Sequence, residues 1–257
     1  MASAPANQLP LFYNEIQPLS SNIHSDWKAK RADTAPFLAN AHAIPLTVEE
    51  FPLASRHFPI VFASGSNPVP LALMGLNEGV NIFVDDEGKL TSEIYVPAYV
   101  RRYPFMLARL RPDSDDLSLC FDPTADAIGP YEEGDPLFED GQPAAATQNI
   151  LGFCEQFEQA GQRTAALMNE LAEYKLLMEG EVAIQPEGAQ QPFVYRGFQM
   201  VSEDKLRELR GDQARKLIQS GALALIYAHL FSLSLIRDIF GKQMALGKVP
   251  VQAIQQG

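Results

Sequence analysis

Only two cysteines, Cys120 and Cys154, and four histidines, His24, His42, His57 and His229, stand in the 257 residues. The cysteines form no CxxC or CxxxC pair, which excludes a disulfide framework and a cysteine-based zinc site; both are expected to pack as small buried apolar groups. No two histidines stand at HExxH or HxH spacing, so the zinc-hydrolase signature is absent and no metal site is expected. The seventeen glycines never fall into GxGxxG, GxxxxGK[ST] or GxSxG. Dinucleotide binding, P-loop phosphate binding and the hydrolase nucleophile elbow therefore lack their local signal, and no cofactor is expected. The N-terminal MASAPANQLPLF has neither a basic segment nor a continuous apolar run, so no secretory leader is read and residence in the cytoplasm is the expectation. The most apolar run, Ala222 to Ile236, is fifteen residues long, short of the roughly 20 that cross a bilayer. No integral membrane segment is expected.

Basic residues are missing from one region altogether. Between Pro112 and Gln162 there is no lysine or arginine, while twelve acids occur there; the remainder carries 20 basic and 20 acidic residues, and the whole chain has a formal charge of -12. Such a surface repels nucleic acid and anionic lipid at long range, so no nucleic-acid partner is expected. The stretch DPTADAIGPYEEGDPLFEDG matches neither the EF-hand loop nor a glycine-aspartate repeat, and reads as a solvated acidic loop.

What is present is the make-up of a globular protein of α+β class, with an antiparallel β-rich N-terminal half, a meander or small barrel, and a mainly helical C-terminal half. Residues 1–10 read as a disordered tail, 11–122 as the β-rich region, 123–145 as an acidic connecting loop, 146–240 as mainly helical with two short strands, and 241–257 as a polar tail that frays; a single domain over 11–240 is the alternative. PIVFAS, VPLALMG, NIFV, FMLARLRP and DLSLCFD are the strand candidates, separated by turn residues. TVEE at Thr47 is a capping box. Ile150, Phe157, Thr164, Leu171 and Met178 recur every seven residues, with Cys154, Gly161, Met168 and Lys175 four further on, which predicts a long amphipathic helix over 150–178. Ser202 is placed to cap SEDKLREL, and Asp212 to cap the helix that follows. DQARKLIQSGALALIYAHLFSLSLI is apolar nearly all round in its second half, the pattern of a helix buried on all sides.

The densest stretch is EIYVPAYVRRYPFML, residues Glu93 to Leu107, where four aromatic residues, two prolines and an arginine pair share fifteen positions. Pro97 opens a helical turn and Pro104 ends it, leaving Arg101 and Arg102 on a one-turn helix among Tyr95, Tyr99 and Tyr103. Guanidinium groups so placed bind carboxylate or phosphate bidentately, or close an internal ion pair with Asp85, Asp86 or the acidic segment. Consecutive helical positions point about 100° apart; the reading assigns Arg101 to an internal pair and Arg102 to the outside. His57, at the start of a strand, is the one imidazole set beside these as a binding candidate. His229 reads as a satisfied core group.

The order HFPIVF, LALMGLNEGVNIFVDDEGKL, YVPAYVRRYPFML, GFQMVSEDKLREL and SGALALIYAHLFSLSLI resembles the bacterial SapC family over Leu11 to Phe240, with YVPAYVRRYPF the most specific element. The resemblance implies association with bacterial surface layers and a link to the cell envelope, and it transfers no catalytic residue. The leading expectation is a non-enzymatic binding or assembly factor. Its partner would be a protein or peptide, met through Arg101, Arg102, Tyr95, Tyr99, Tyr103 and His57, with self-association through the 150–178 helix. The alternative is an enzyme acting on an anionic peptide or small metabolite, with Arg101 and Arg102 orienting the substrate and His57 or a nearby carboxylate as acid or base. In a third reading, the C-terminal apolar helix docks on a membrane or partner rather than within its own fold.

Overall fold

In the computed structural model, residues 9–30, 33–111, 113, 116–185 and 190–248 are described. The chain is α+β, with antiparallel sheets mostly in the N-terminal half and helices in the C-terminal half. Among the described residues seven α-helices follow in order: α1 (Phe51–Ala54), α2 (Ala98–Arg102), α3 (Ala145–Glu173), α4 (Glu203–Arg207), α5 (Gly211–Gln219), α6 (Ala222–Ser232) and α7 (Leu235–Ala245). The chain divides into two compact units. Unit 1 takes residues 1–33 and 98–162; unit 2 takes 34–97 and 163–257.

Unit 1 is built on the expected hairpin, Phe105–Arg109 against Leu117–Phe121, with Gln17–Pro18 added to the far side of the second strand. The acidic connection is ordered by pairing. Ile128–Gly129 and Asp135–Pro136 flank Lys28–Ala29, and Phe138–Glu139 folds back on Gln142–Pro143. Its acids face solvent while Ile128 and Leu137 join Phe105, Leu107, Phe121 and Cys154 in one apolar cluster. The thiols behave as expected of buried apolar groups: burial raises both, Cys154 to about 11. The candidate strand NIFV does not form. Residues 81–84, in unit 2, are held by the buried Asn81 amide, which donates to the Leu38 and Ala41 carbonyls and accepts from Phe83 N–H.

Unit 2 carries a five-stranded antiparallel sheet, in the order Leu177–Ile184, Phe193–Val201, Ile60–Ala63, Pro70–Leu73, Ala43–Pro45. The two C-terminal strands form where EVAIQ and PFVYRGFQM mark them; the first, at eight residues, outruns the five-residue EVAIQ pattern, and the second has the nine residues of its pattern, shifted by one. The Phe193–Val201 strand pairs with Ile60–Ala63 through Phe198↔Ala63 and Gln199↔Phe62. That register, continued, would set Val201 opposite Ile60, and there an imidazole stands in for the direct hydrogen bond. Val201 N–H donates to His229 Nε2 at 3.1 Å, and His229 Nδ1 lies 2.7 Å from the Ile60 carbonyl. One side is a donor and the other an acceptor, so the bonding requires the neutral ring with its proton on Nδ1. Ser232, one turn along α6 on the same face, accepts from Ile60 N–H at 2.8 Å. Burial holds His229 down at about 4.

Helix boundaries moved for local reasons. α3 starts at Ala145 and ends at Glu173, not at 178, because Lys175 takes a positive φ and Leu177 opens a strand; Gly161 does not interrupt it. At Thr47 the capping box is present as read: the Glu50 carboxylate reaches back to accept from the Thr47 N–H, and it accepts from the Thr47 hydroxyl as well. Ser202 caps α4 as read. Asp212 does not cap α5. The chain enters that helix at Arg210, whose N–H is met by Gln213, while Asp212 pairs with the Arg210 side chain.

The single apolar helix read through Ile236 is broken at Gly221, which sits at φ 79°, a conformation with no steric cost only for glycine. Leu233 and Ser234 stay in the right-handed region, so α6 and α7 run on as a tightened turn. This makes Ala222–Ala245 one stretch of 24 residues, long and apolar enough to cross a membrane by length and composition, with a third of its most apolar window buried. It is not buried on all sides: Tyr227 and Phe231 lie open. Nor does the chain fray at Phe240. The helix continues to Ala245, held by the buried Gln243, which accepts from Leu76 N–H at 3.0 Å. Residues 1–8 of the expected tail, and 249–257 at the other end, lie outside the described residues.

Candidate functional site

The stretch singled out by its aromatics folds as α2, followed at once by the Phe105–Arg109 strand. The expected split between its arginines is present and inverted. Arg102 is buried, at 8% exposure, and Arg101 is exposed. The reason lies in helical spacing: Arg102 shares a face with Tyr99, three residues back, and that face meets α3. Its guanidinium carbon lies 4.6 Å from the Tyr99 ring centroid and 4.2 Å from that of Phe157, with Glu158 Oε1 3.7 Å from Nη1. The ion pair with the acidic segment thus exists, with Arg102 and α3 as its partners. Nε of Arg102 has no hydrogen-bond partner, and the charge is shared between the two ring faces and the Glu158 carboxylate. Arg101, on the open side of α2, lies 5.1 Å over Phe153.

Around Arg102 the tyrosines form a scaffold. Tyr99 donates to the Leu11 carbonyl at 3.1 Å, and Tyr13 donates to the Phe105 carbonyl at 2.7 Å. Phe12 is held at φ 79°, costly for a bulky residue, and in that conformation its ring meets both Tyr99 and Tyr103. Burial raises Tyr99, against the pull of Arg102. Tyr103 is pushed up to about 12, first by burial and then by the Asp122 carboxylate. Asp122 is itself buried. Burial acts to raise its carboxyl, but the amides of Asn14, Thr124 and Glu15 and the Thr124 hydroxyl outweigh it and hold the group below the usual carboxylate range.

The structure brings Arg101, Arg102, Tyr99 and Tyr103 together in unit 1. Tyr95 and His57 fall in unit 2. Tyr95 donates to Glu50 Oε1 at 3.1 Å, and His57 is half-buried beside Phe58. Asp85 closes its own turn by accepting from Lys89 N–H. Among the described residues no group of three or more His, Cys, Asp or Glu could hold a metal ion.

One surface escaped the sequence reading. Between α4, α5 and α6 of unit 2 lies a groove of about 160 Å³, walled by Leu206, Leu209, Ala214, Leu217, Leu223 and Tyr227, with Arg207 at its lip. Phe231, one turn beyond Tyr227, stacks on it at 5.7 Å and is 72% exposed, the most exposed of the large described hydrophobics. The signal was the spacing Ala224, Tyr227, Phe231, which the surrounding leucines masked.

A sequence profile described as SapC matches residues 19–239 of this chain. No curated protein and no solved structure matches it.

Proposed function

The chain belongs to the SapC family, and from that premise we propose that it is a non-catalytic binding or assembly factor of the bacterial cell envelope. Its recognition element is α2. The observation that carries this reading is the division of labour between the two arginines. Arg102 is enclosed by Tyr99, Phe157 and Glu158 and fixes α2 to α3; Arg101, exposed on the same turn, presents a guanidinium from a rigid base. Such a group, set beside aromatic rings, takes the carboxylate of a protein or peptide partner bidentately. Surface-layer or envelope components are the partner class the family membership favours.

The test uses the two arginines against each other. Arg101→Gln leaves the thermal midpoint within about 1 °C, because an exposed residue contributes little to stability, while retention of the partner from a native envelope extract falls at least tenfold. Arg102→Gln lowers stability by about 2 kcal/mol, from loss of two desolvated cation–π contacts, and reduces retention only in proportion to the unfolded fraction. Equal retention by wild type and Arg101→Gln would overturn the proposal.

A further inference from the structure

The groove of unit 2 and the residue that best fits it stand on the same helix. Phe231, 72% exposed, stacks on Tyr227 and so extends the groove wall into one apolar patch, the kind of surface that marks an interaction site. The groove beside it has room for about one such side chain. From this self-complementarity we infer that a second copy of this chain covers the surface, α6 packing antiparallel on α6 about a two-fold axis through Tyr227. That axis sets Phe231 of one copy opposite Leu223 of the other, and Leu223 and Tyr227 are two walls of the groove. The knob of each copy therefore enters the hole of its mate, the isologous arrangement that closes as a dimer. The exposed stripe Ala224, Tyr227, Phe231 has the 3–4 spacing of a helix-packing seam, and Ala224 lets the second helix approach closely.

Charge does not oppose this occupant despite the net charge of -12. At the rim, Arg207 is paired with Glu203 at 2.7 Å and Asp204 at 3.1 Å, and Arg210 with Asp212 at 2.9 Å, so these groups are neutralised within each copy. The surface lies wholly in unit 2 and is independent of Arg101, so the recognition proposal and this one fail separately.

Sedimentation velocity of the full chain, from 1 to 200 µM, reads the proposal directly. The expected result is a monomer–dimer equilibrium within that range. Phe231→Asp removes the knob and weakens the dimer at least tenfold with an unchanged far-ultraviolet dichroism spectrum. Ala214→Trp fills the hole and acts likewise. A monomer at every concentration overturns the inference. So does a dimer that persists in Phe231→Asp, which would put the contact elsewhere, on α3 for example, and so does binding of wild type to anionic vesicles that Phe231→Asp abolishes without any change in oligomeric state.

Discussion

Acidification should loosen unit 2 by a calculable amount through His229. The ring is fully buried, with Nε2 accepting from Val201 and Nδ1 bonded to the Ile60 carbonyl. A proton on Nε2 destroys the acceptor and turns it against an N–H, and a charged ring has no solvent to stabilise it. The folded-state value is therefore depressed, from 6.5 to about 4. For a histidine depressed in this way the unfolded chain binds the extra proton, so stability rises with pH: the contribution is fully present above 6.5 and falls away as pH drops toward 4. At about 1.4 kcal/mol per unit, the loss across that window is about 3 kcal/mol. His229→Gln keeps a donor and an acceptor on one side chain but cannot titrate. Urea unfolding at pH 7.5 and at pH 4, followed by far-ultraviolet dichroism, compares the two proteins and cancels the carboxylates they share. Wild type should lead at pH 7.5, and its lead should shrink by about 3 kcal/mol at pH 4. Trp27 belongs to unit 1, so its fluorescence reports whether that unit follows. Parallel pH dependences for the two proteins, or a His229 nuclear resonance titrating near 6.5, would refute this reasoning.

Other outcomes follow from single positions. Gly88 sits at φ 77°, and a Cβ there would run into the backbone of Ala35 and Pro36. Gly88→Ala should cost about 3 kcal/mol or more in urea unfolding, since backbone cannot move aside as a side-chain tip can. Cys120 and Cys154 are both buried, with the Cys154 thiol at about 11. An aromatic disulfide reagent at pH 8 should label neither in the native protein and both in denaturant, and rapid labelling of Cys154 in the native state would contradict its placement. The Arg101 and Arg102 pair, and the Phe231 knob, supply two further tests with opposite expectations for stability and binding.

Much of unit 1 and the helices was decided by local sequence. The hairpin Phe105–Arg109 with Leu117–Phe121, the capping of α4 by Ser202, and α3 itself follow from alternation, turn residues and a seven-residue apolar repeat, all of which act within a few residues of one another. The two prolines around α2 also marked a helical turn, which forms at Ala98–Arg102. Which arginine turned inward was legible in principle, since Tyr99 and Arg102 are three apart on one face, but only the packing of Phe157 and Glu158 made that face the inner one. The five-stranded sheet of unit 2 lay beyond local reading. It joins Ile60–Ala63 to strands more than a hundred residues later, and nothing in either strand's own alternation names its neighbour. For the same reason His229 looked like an ordinary core histidine. Its bridging of Val201 and Ile60, like the groove beside Phe231, exists only where distant segments meet, because a hydrogen-bond partner and a hole are both properties of the folded neighbourhood rather than of the residue.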